Sequence, residues 1–407
     1  MSEELRYVDA DGHLVEHPTG IQDYAPAEYR DKVWHVETDA GGDEWVVMGG
    51  HREPANIYAA SAVAGFSEEE KQQAWAGQMR YSEIPGGAYD TKERLAAMDE
   101  DGIDISVLYP TMLLGLSGYP DRELALATGR AYNNWLADHC SDADGRLYGA
   151  ACVPQWDAQL AGEEIRRIGK SPYLVAAFLR PNPTLDWKPF SDTAYDPIWA
   201  AASDSDVAIG FHPLLAGDLP GACQGLRINE LKLDTPWMRG ELDFKPSLPG
   251  SSMGYDNTFF AQAISNPVDM MSTIAFMTAG GVLQRFPELR VVFLESNGGW
   301  IVPWLERLDH HYEEFAFDVP WLTETPSEAF RRQCWISFDP DESTLAFTAQ
   351  SPLVGPDRIV WASDYPHPDA KYPGTTKELD EAIESLDEES QRQIAGESTA
   401  ALYAIEL

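Results

Sequence analysis

Eight short runs rich in Val, Ile, Phe and Tyr recur along the chain, at 7–13, 105–110, 147–153, 175–180, 207–212, 290–295, 335–339 and 359–364. Each ends in polar or turn-forming residues, the mark of a buried strand running into a loop. Helical periodicity fills the spaces between them, as in Thr91–Glu100, Asp121–His139, Ala158–Ile168, Val268–Phe286, Trp300–Phe315, Asp341–Ala349 and Thr376–Ser385. Strand alternating with helix builds a parallel sheet with crossover helices, and eight such units predict a closed (β/α)8 TIM barrel of α/β class. An open doubly wound sheet is the competing arrangement, but no G-x-G-x-x-G follows any run.

Two segments exceed ordinary loop lengths: Leu14 to about Asp90, and Pro213 to about Pro267. Both follow strands, so both are expected over the C-terminal mouth of one barrel domain spanning 1–407. Their aromatics (Trp34, Trp45, Tyr58 and Trp75; Trp237, Tyr255, Phe259 and Phe260) suit a pocket wall, packing of the insertions onto the barrel, or a subunit interface.

Charge removes several function classes. The 67 Asp and Glu against 29 Lys and Arg give a formal charge of -38, which repels a phosphate backbone and an anionic membrane. Cys140, Cys152, Cys223 and Cys334 lie far apart with no C-x-x-C pair, arguing against a disulfide framework or a thiolate metal site. The acidic start MSEELRYVDADG has no signal-like apolar stretch, and the apolar segment from about Met270 to Leu283 is too short to span a bilayer. A cytoplasmic protein is expected.

The chemistry collects at the strand ends, which a barrel points into one mouth. The first run ends Asp9-Ala10-Asp11-Gly12-His13, the fifth Phe211-His212-Pro213, the sixth Leu294-Glu295-Ser296-Asn297 and the eighth Ser363-Asp364-Tyr365-Pro366-His367. Residues two apart on a strand share a face, so Asp9, Asp11 and His13 are expected to project together. A carboxylate and an imidazole from the first strand, an imidazole from the fifth and a carboxylate from the eighth can converge on one divalent cation.

With these residues in view, the sequence resembles the amidohydrolase-2 family, the branch of the amidohydrolase superfamily that includes aminocarboxymuconate-semialdehyde and aromatic-acid decarboxylases. The matching stretches are VDADGHLVE at 8–16, LAAMDEDGIDISVLYPT at 95–111, FHP at 211–213, GGVLQRFPELRVVFLESNGGWIVPWLERLDHHYE at 280–313, WASDYPHPD at 361–369 and IAGESTAALYAI at 394–405. The resemblance implies that Asp11, His13, His212 and Asp364 hold one zinc or manganese ion with a water. It also implies association into dimers or larger assemblies. The chain departs from the pattern at the sixth strand, where the decarboxylases carry a His and Glu295 stands here.

That departure leaves Glu295 as a general base, a metal ligand, or a residue orienting water or His212. The leading reading is a metal-dependent hydrolase or non-oxidative decarboxylase of a small carboxylated or amide substrate. In it Glu295 moves the proton, helped by His367, and Arg180 clamps the substrate. With Asp9 and Glu295 both on metal, the carboxylates suffice for two ions including iron, which describes a dinuclear non-haem monooxygenase supplied by a separate redox protein. A catalytically silent structural barrel is the third alternative. Gly250–Gly254 fits G-x-S-x-G but follows no strand, so a nucleophile elbow is rejected. Asp309, His310 and His311 read as an exposed helix end, and Asp387-Glu388-Glu389 as the start of a helix.

Overall fold

A computed structural model describes residues 5–181, 185, 188–213 and 261–407. All eight expected strands are present and parallel: β1 (Val8–Leu14), β5 (Ile105–Pro110), β6 (Leu147–Cys152), β7 (Leu174–Leu179), β8 (Ala208–Phe211), β9 (Val291–Phe293), β10 (Cys334–Phe338) and β11 (Ile359–Trp361). They neighbour one another in chain order. Two backbone hydrogen bonds draw the first and last together beyond the end of β11: Asp364 N–H to the Asp11 carbonyl at 3.2 Å, and His13 N–H to the Tyr365 carbonyl at 2.8 Å. The result is a (β/α)8 barrel.

The crossover helices begin where the sequence supplies caps. Asp90, Asp121 and Asp157 each accept backbone N–H groups of the turn that follows, so part of the acidic excess does structural work at helix N-termini. Asp387 does the same for Glu388–Arg392. The helix expected over Val268–Phe286 is instead two, Asn266–Met277 and Val282–Arg285. Gly280 and Gly281 divide them: Gly281 has φ +77°, and a Cβ on Gly280 would meet the Phe276 carbonyl oxygen at 2.1 Å.

The first insertion is more ordered than its sequence suggested. It contains an antiparallel sheet of β2 (His35–Thr38), β3 (Glu44–Met48) and β4 (His51–Pro54), followed by helix Glu68–Trp75. Trp34 and Tyr58 are buried and pack edge to face at 5.7 Å, so these aromatics hold the insertion together. Trp237, Tyr255, Phe259, Phe260, Cys223 and Gly250–Gly254 lie outside the described residues, as does most of the second insertion. Cys140, Cys152 and Cys334 are buried free thiols. No described helix is long and apolar enough to cross a membrane.

Tyr109 on β5 forms the floor beneath the mouth. Its hydroxyl pairs with that of Tyr403 at 3.0 Å, and Tyr403 donates to the Ala10 carbonyl at 2.9 Å. Gly210 on β8 makes this possible, because a Cβ there would sit 2.3 Å from the Tyr109 hydroxyl. The Tyr109 ring stacks on His212 with centroids 5.5 Å apart, so one aromatic links barrel packing to ring orientation in the mouth.

Candidate metal centre

Asp11, His13 and His212 form one group of ligand-type atoms, and His13, Asp364 and His367 form a second, each within 4.8 Å internally. His13 is common to both. Its Nε2 lies 3.5 Å from Asp11 Oδ1, 3.5 Å from Asp364 Oδ1 and 3.2 Å from His212 Nε2. His212 Nε2 is 3.6 Å from Asp11 Oδ2.

Backbone carbonyls fix which nitrogens face inward. His13 Nδ1 is 3.1 Å from the Pro110 carbonyl and His212 Nδ1 is 2.7 Å from the Pro213 carbonyl. A carbonyl only accepts, so both Nδ1 atoms carry hydrogen and both Nε2 atoms present lone pairs in the neutral rings. Two lone pairs therefore face one another beside carboxylate oxygens. Asp11 Oδ1 is buried with no hydrogen-bond partner among the described residues. Such an arrangement is repulsive around empty space and attractive around a cation, and the oxygen and imidazole donors suit zinc or manganese. The donor set fits a divalent metal ion.

Burial and neighbouring charges act on these side chains in a consistent direction. Burial, then repulsion from Glu295, Asp9 and Asp339, pushes Asp11 well above the ordinary carboxylate range. Burial, then Asp369 and Glu295, does the same to Asp364. Burial holds His13 well below its ordinary value and takes His212 down to about 3 and His367 to about 4. A bound cation opposes the acid shifts by favouring the ionised carboxylates.

His367 joins the site through both nitrogens. Nδ1 lies 2.7 Å from Asp364 Oδ1 and Nε2 is 2.9 Å from Thr111 Oγ1, while the ring lies over that of His13 at 4.1 Å. Glu295 Oε2 approaches His212 at Nδ1, 3.4 Å away, and belongs to neither ligand-type group. Both Glu295 and Asp364 have left-handed backbones, at φ +46° and +53°, uncommon for residues with a side chain and concentrated at functional sites.

Asp9 is not brought into either group. The pairing of β1 with β5 runs Asp9 to Ser106 and then Gly12 to Leu108, so a bulge adds one residue to β1 and breaks the expected alternation. The Asp9 carboxylate instead accepts the Asp11 and Ser363 N–H groups, at 3.2 and 2.9 Å, and the Ser106 and Ser363 hydroxyls, at 2.6 and 2.7 Å. Its lone pairs hold β1 between β5 and the end of β11. Arg180 is buried just past β7, with its backbone tied to the Gln155 side chain at 2.9 and 3.0 Å. Its charge is one of the influences that depress His212. His310 is exposed on helix Ile301–Phe315, while Asp309 accepts the Ser327 N–H at 2.9 Å.

Four further residues shape this mouth. Arg94 gave no sequence signal, whereas Thr111 directly follows β5 and was open to the strand-end rule. Asp339 directly follows β10 and was open to the strand-end rule; it accepts from Asn297 at 2.8 Å, and burial pushes it up to about 6. Asp369 follows His367 and accepts from Gln262 at 3.1 Å.

The chain is similar to known proteins in sequence and in fold. A 2-amino-3-carboxymuconate-6-semialdehyde decarboxylase of Dictyostelium discoideum is 22% identical over 320 residues, 78% of this chain and 77% of its own. A gamma-resorcylate decarboxylase of Rhodococcus jostii is 25% identical over 294 residues, covering 67% and 76%. The fold matches that of a 5-carboxyvanillate decarboxylase from Novosphingobium aromaticivorans, crystallised with manganese and 4-hydroxy-3-methoxy-5-nitrobenzoic acid, with TM-score 0.62, 17% identity and coverage of 98% and 96%. The amidohydrolase family model matches residues 8–405, nearly the whole chain. The protein, an enzyme with its ligand-type residues at the mouth of a (β/α)8 barrel, belongs to the amidohydrolase family.

Proposed function

We propose that the protein catalyses the non-oxidative decarboxylation of a small carboxylic acid, with one zinc or manganese ion held by Asp11, His13, His212 and Asp364. The inward-facing Nε2 atoms of His13 and His212, 3.2 Å apart beside an unpartnered Asp11 oxygen, carry this reading. Both relatives described above are decarboxylases, which supports it further. Bound there, the ion supplies Lewis-acid polarisation and a point of attachment for substrate oxygens.

The chain's own residues do the rest. The bond from the substrate carbon to its carboxylate breaks, carbon dioxide leaves, and the carbon keeps the electron pair and takes a proton. Glu295 is the carrier in this reading, because burial, followed by repulsion from Asp369 and Asp339, holds its carboxyl protonated well above the ordinary range. His367 orients Asp364, with Thr111 fixing the ring in turn. Arg180 provides the guanidinium that pairs with an anionic substrate group.

The test is an anaerobic assay of metal-loaded protein against hydroxylated aromatic and unsaturated dicarboxylic acids. Carbon dioxide release without oxygen or an electron donor supports the proposal. Oxygen consumption dependent on an electron donor, or hydrolysis without carbon dioxide release, overturns it.

A further inference from the structure

The seam between β1 and the end of β11 carries Asp11 and His13 on one side and Asp364 and His367 on the other, yet β11 itself ends at Trp361. Past that point the ladder gives way to the two backbone hydrogen bonds that close the barrel. Asp9 braces the seam at Ser363, and a further support at the level of His13 and Tyr365 would fix the spacing of the ligand-type residues themselves.

Arg94 is placed to give it. It projects from helix Thr91–Asp101 and is 2% exposed. One guanidinium nitrogen, Nη1, donates to the Tyr365 carbonyl at 3.2 Å, and the other, Nη2, donates to the His13 carbonyl. The two carbonyls belong to opposite sides of the seam. The guanidinium carbon also sits 4.6 Å from the centre of the Tyr365 ring. No Asp or Glu forms an ion pair with Arg94 among the described residues, and its Nε has no hydrogen-bond partner among them. Burying a guanidinium without a carboxylate is costly, and an apolar side chain would fill the same space more cheaply. What an apolar side chain cannot do is span two carbonyls, and lysine, a point charge without a planar fork, does so poorly.

We propose that Arg94 is a positioning residue that clamps the His13 and Tyr365 carbonyls, and so sets the distance between the first-strand and eighth-strand halves of the metal centre. This rests on the metal reading above but concerns a residue that touches neither ion nor substrate. A residue that only stabilised the barrel would change its melting temperature without changing the affinity of the folded protein for metal. A clamp changes both, and alters the coordination that the ion experiences.

The experiment titrates metal-free wild type, Arg94→Lys and Arg94→Met with Co2+, followed by visible absorption, with circular dichroism and thermal melting recorded alongside. In the folded variants the dissociation constant is expected to rise about 10- to 100-fold, as when other supports of metal ligands are lost, with a changed cobalt spectrum. Arg94→Lys, which keeps the charge and loses the fork, decides the matter if Arg94→Met does not fold. Wild-type affinity and an unchanged spectrum in either folded variant overturn the proposal, whatever its melting temperature. Failure of wild type itself to bind Co2+ overturns the metal reading instead.

Discussion

Glu295 meets His212 at Nδ1, 3.4 Å away, while His212 turns Nε2 toward His13. The carboxylate and the facing imidazole pair thus address different nitrogens of one ring. Glu295→Gln is accordingly expected to keep one ion per chain and to lower turnover about 10- to 100-fold. Elemental analysis together with steady-state kinetics checks it. Loss of most of the metal would place Glu295 on the ion and revive the two-ion reading, which neither the geometry nor the relatives favour.

Thr111 ties His367 in place through Nε2 at 2.9 Å, leaving Nδ1 for Asp364. Glu16 supports this arrangement by accepting the successive N–H groups of Thr111, Met112 and Leu113 at 3.2, 3.1 and 2.8 Å. Thr111→Val, similar in shape but lacking the hydroxyl, should lower turnover roughly tenfold and leave metal content at one ion per chain. Wild-type turnover in a folded Thr111→Val protein would remove Thr111 from the site.

Asp9 offers the converse test. Its carboxylate accepts four hydrogen bonds, so Asp9→Ala leaves the Asp11 and Ser363 N–H groups and the Ser106 and Ser363 hydroxyls without that acceptor in a buried site. A loss of roughly 1–3 kcal/mol in unfolding free energy is expected, with metal still bound to the folded protein. Chemical denaturation and metal analysis measure the two effects. An unchanged stability with lost metal would make Asp9 a ligand.

Metal affinity should depend on pH through the carboxyls rather than the imidazoles. Burial already keeps His13 and His212 neutral, His212 down to about 3, while it raises Asp11 and Asp364 above their ordinary range. A cation binds the ionised carboxylates, so binding releases the protons that burial had retained, and affinity falls as pH falls. The fall approaches about tenfold per pH unit for each proton released. Calorimetry in buffers of different ionisation enthalpy counts those protons. Binding without proton release, at an affinity independent of pH, would contradict the shifts.

The strand ends were legible in the sequence because a barrel sends them to one mouth: Asp11, His13 and His212 lie together there, and Asp364 lies beside His13. The strand rule failed at Asp9, where the bulge opposite Ser106 and Leu108 interrupts alternation, a backbone event that the residue pattern DADGH did not announce. The sheet in the first insertion was hidden by short strands carrying charges such as Glu37 and Arg52. Its local signals were the glycine pairs at its two turns, Gly41-Gly42 between β2 and β3, with Gly42 at positive φ, and Gly49-Gly50 between β3 and β4, both at positive φ. Arg94 was invisible for a different reason: it lies on a helix, and only closure of the barrel brings it to His13, whereas Thr111 stands at a strand end and was passed over because it is not a ligand-type residue.

The most direct test of the metal centre is the metal content per chain, by elemental mass spectrometry, of wild type, His212→Ala and Asp364→Ala purified without chelators from cells supplied with zinc, manganese and iron. One zinc or manganese ion in wild type, and its near-complete loss from both variants in folded form, is the expected result. A wild-type protein without metal, or full metal occupancy in both variants, would contradict it.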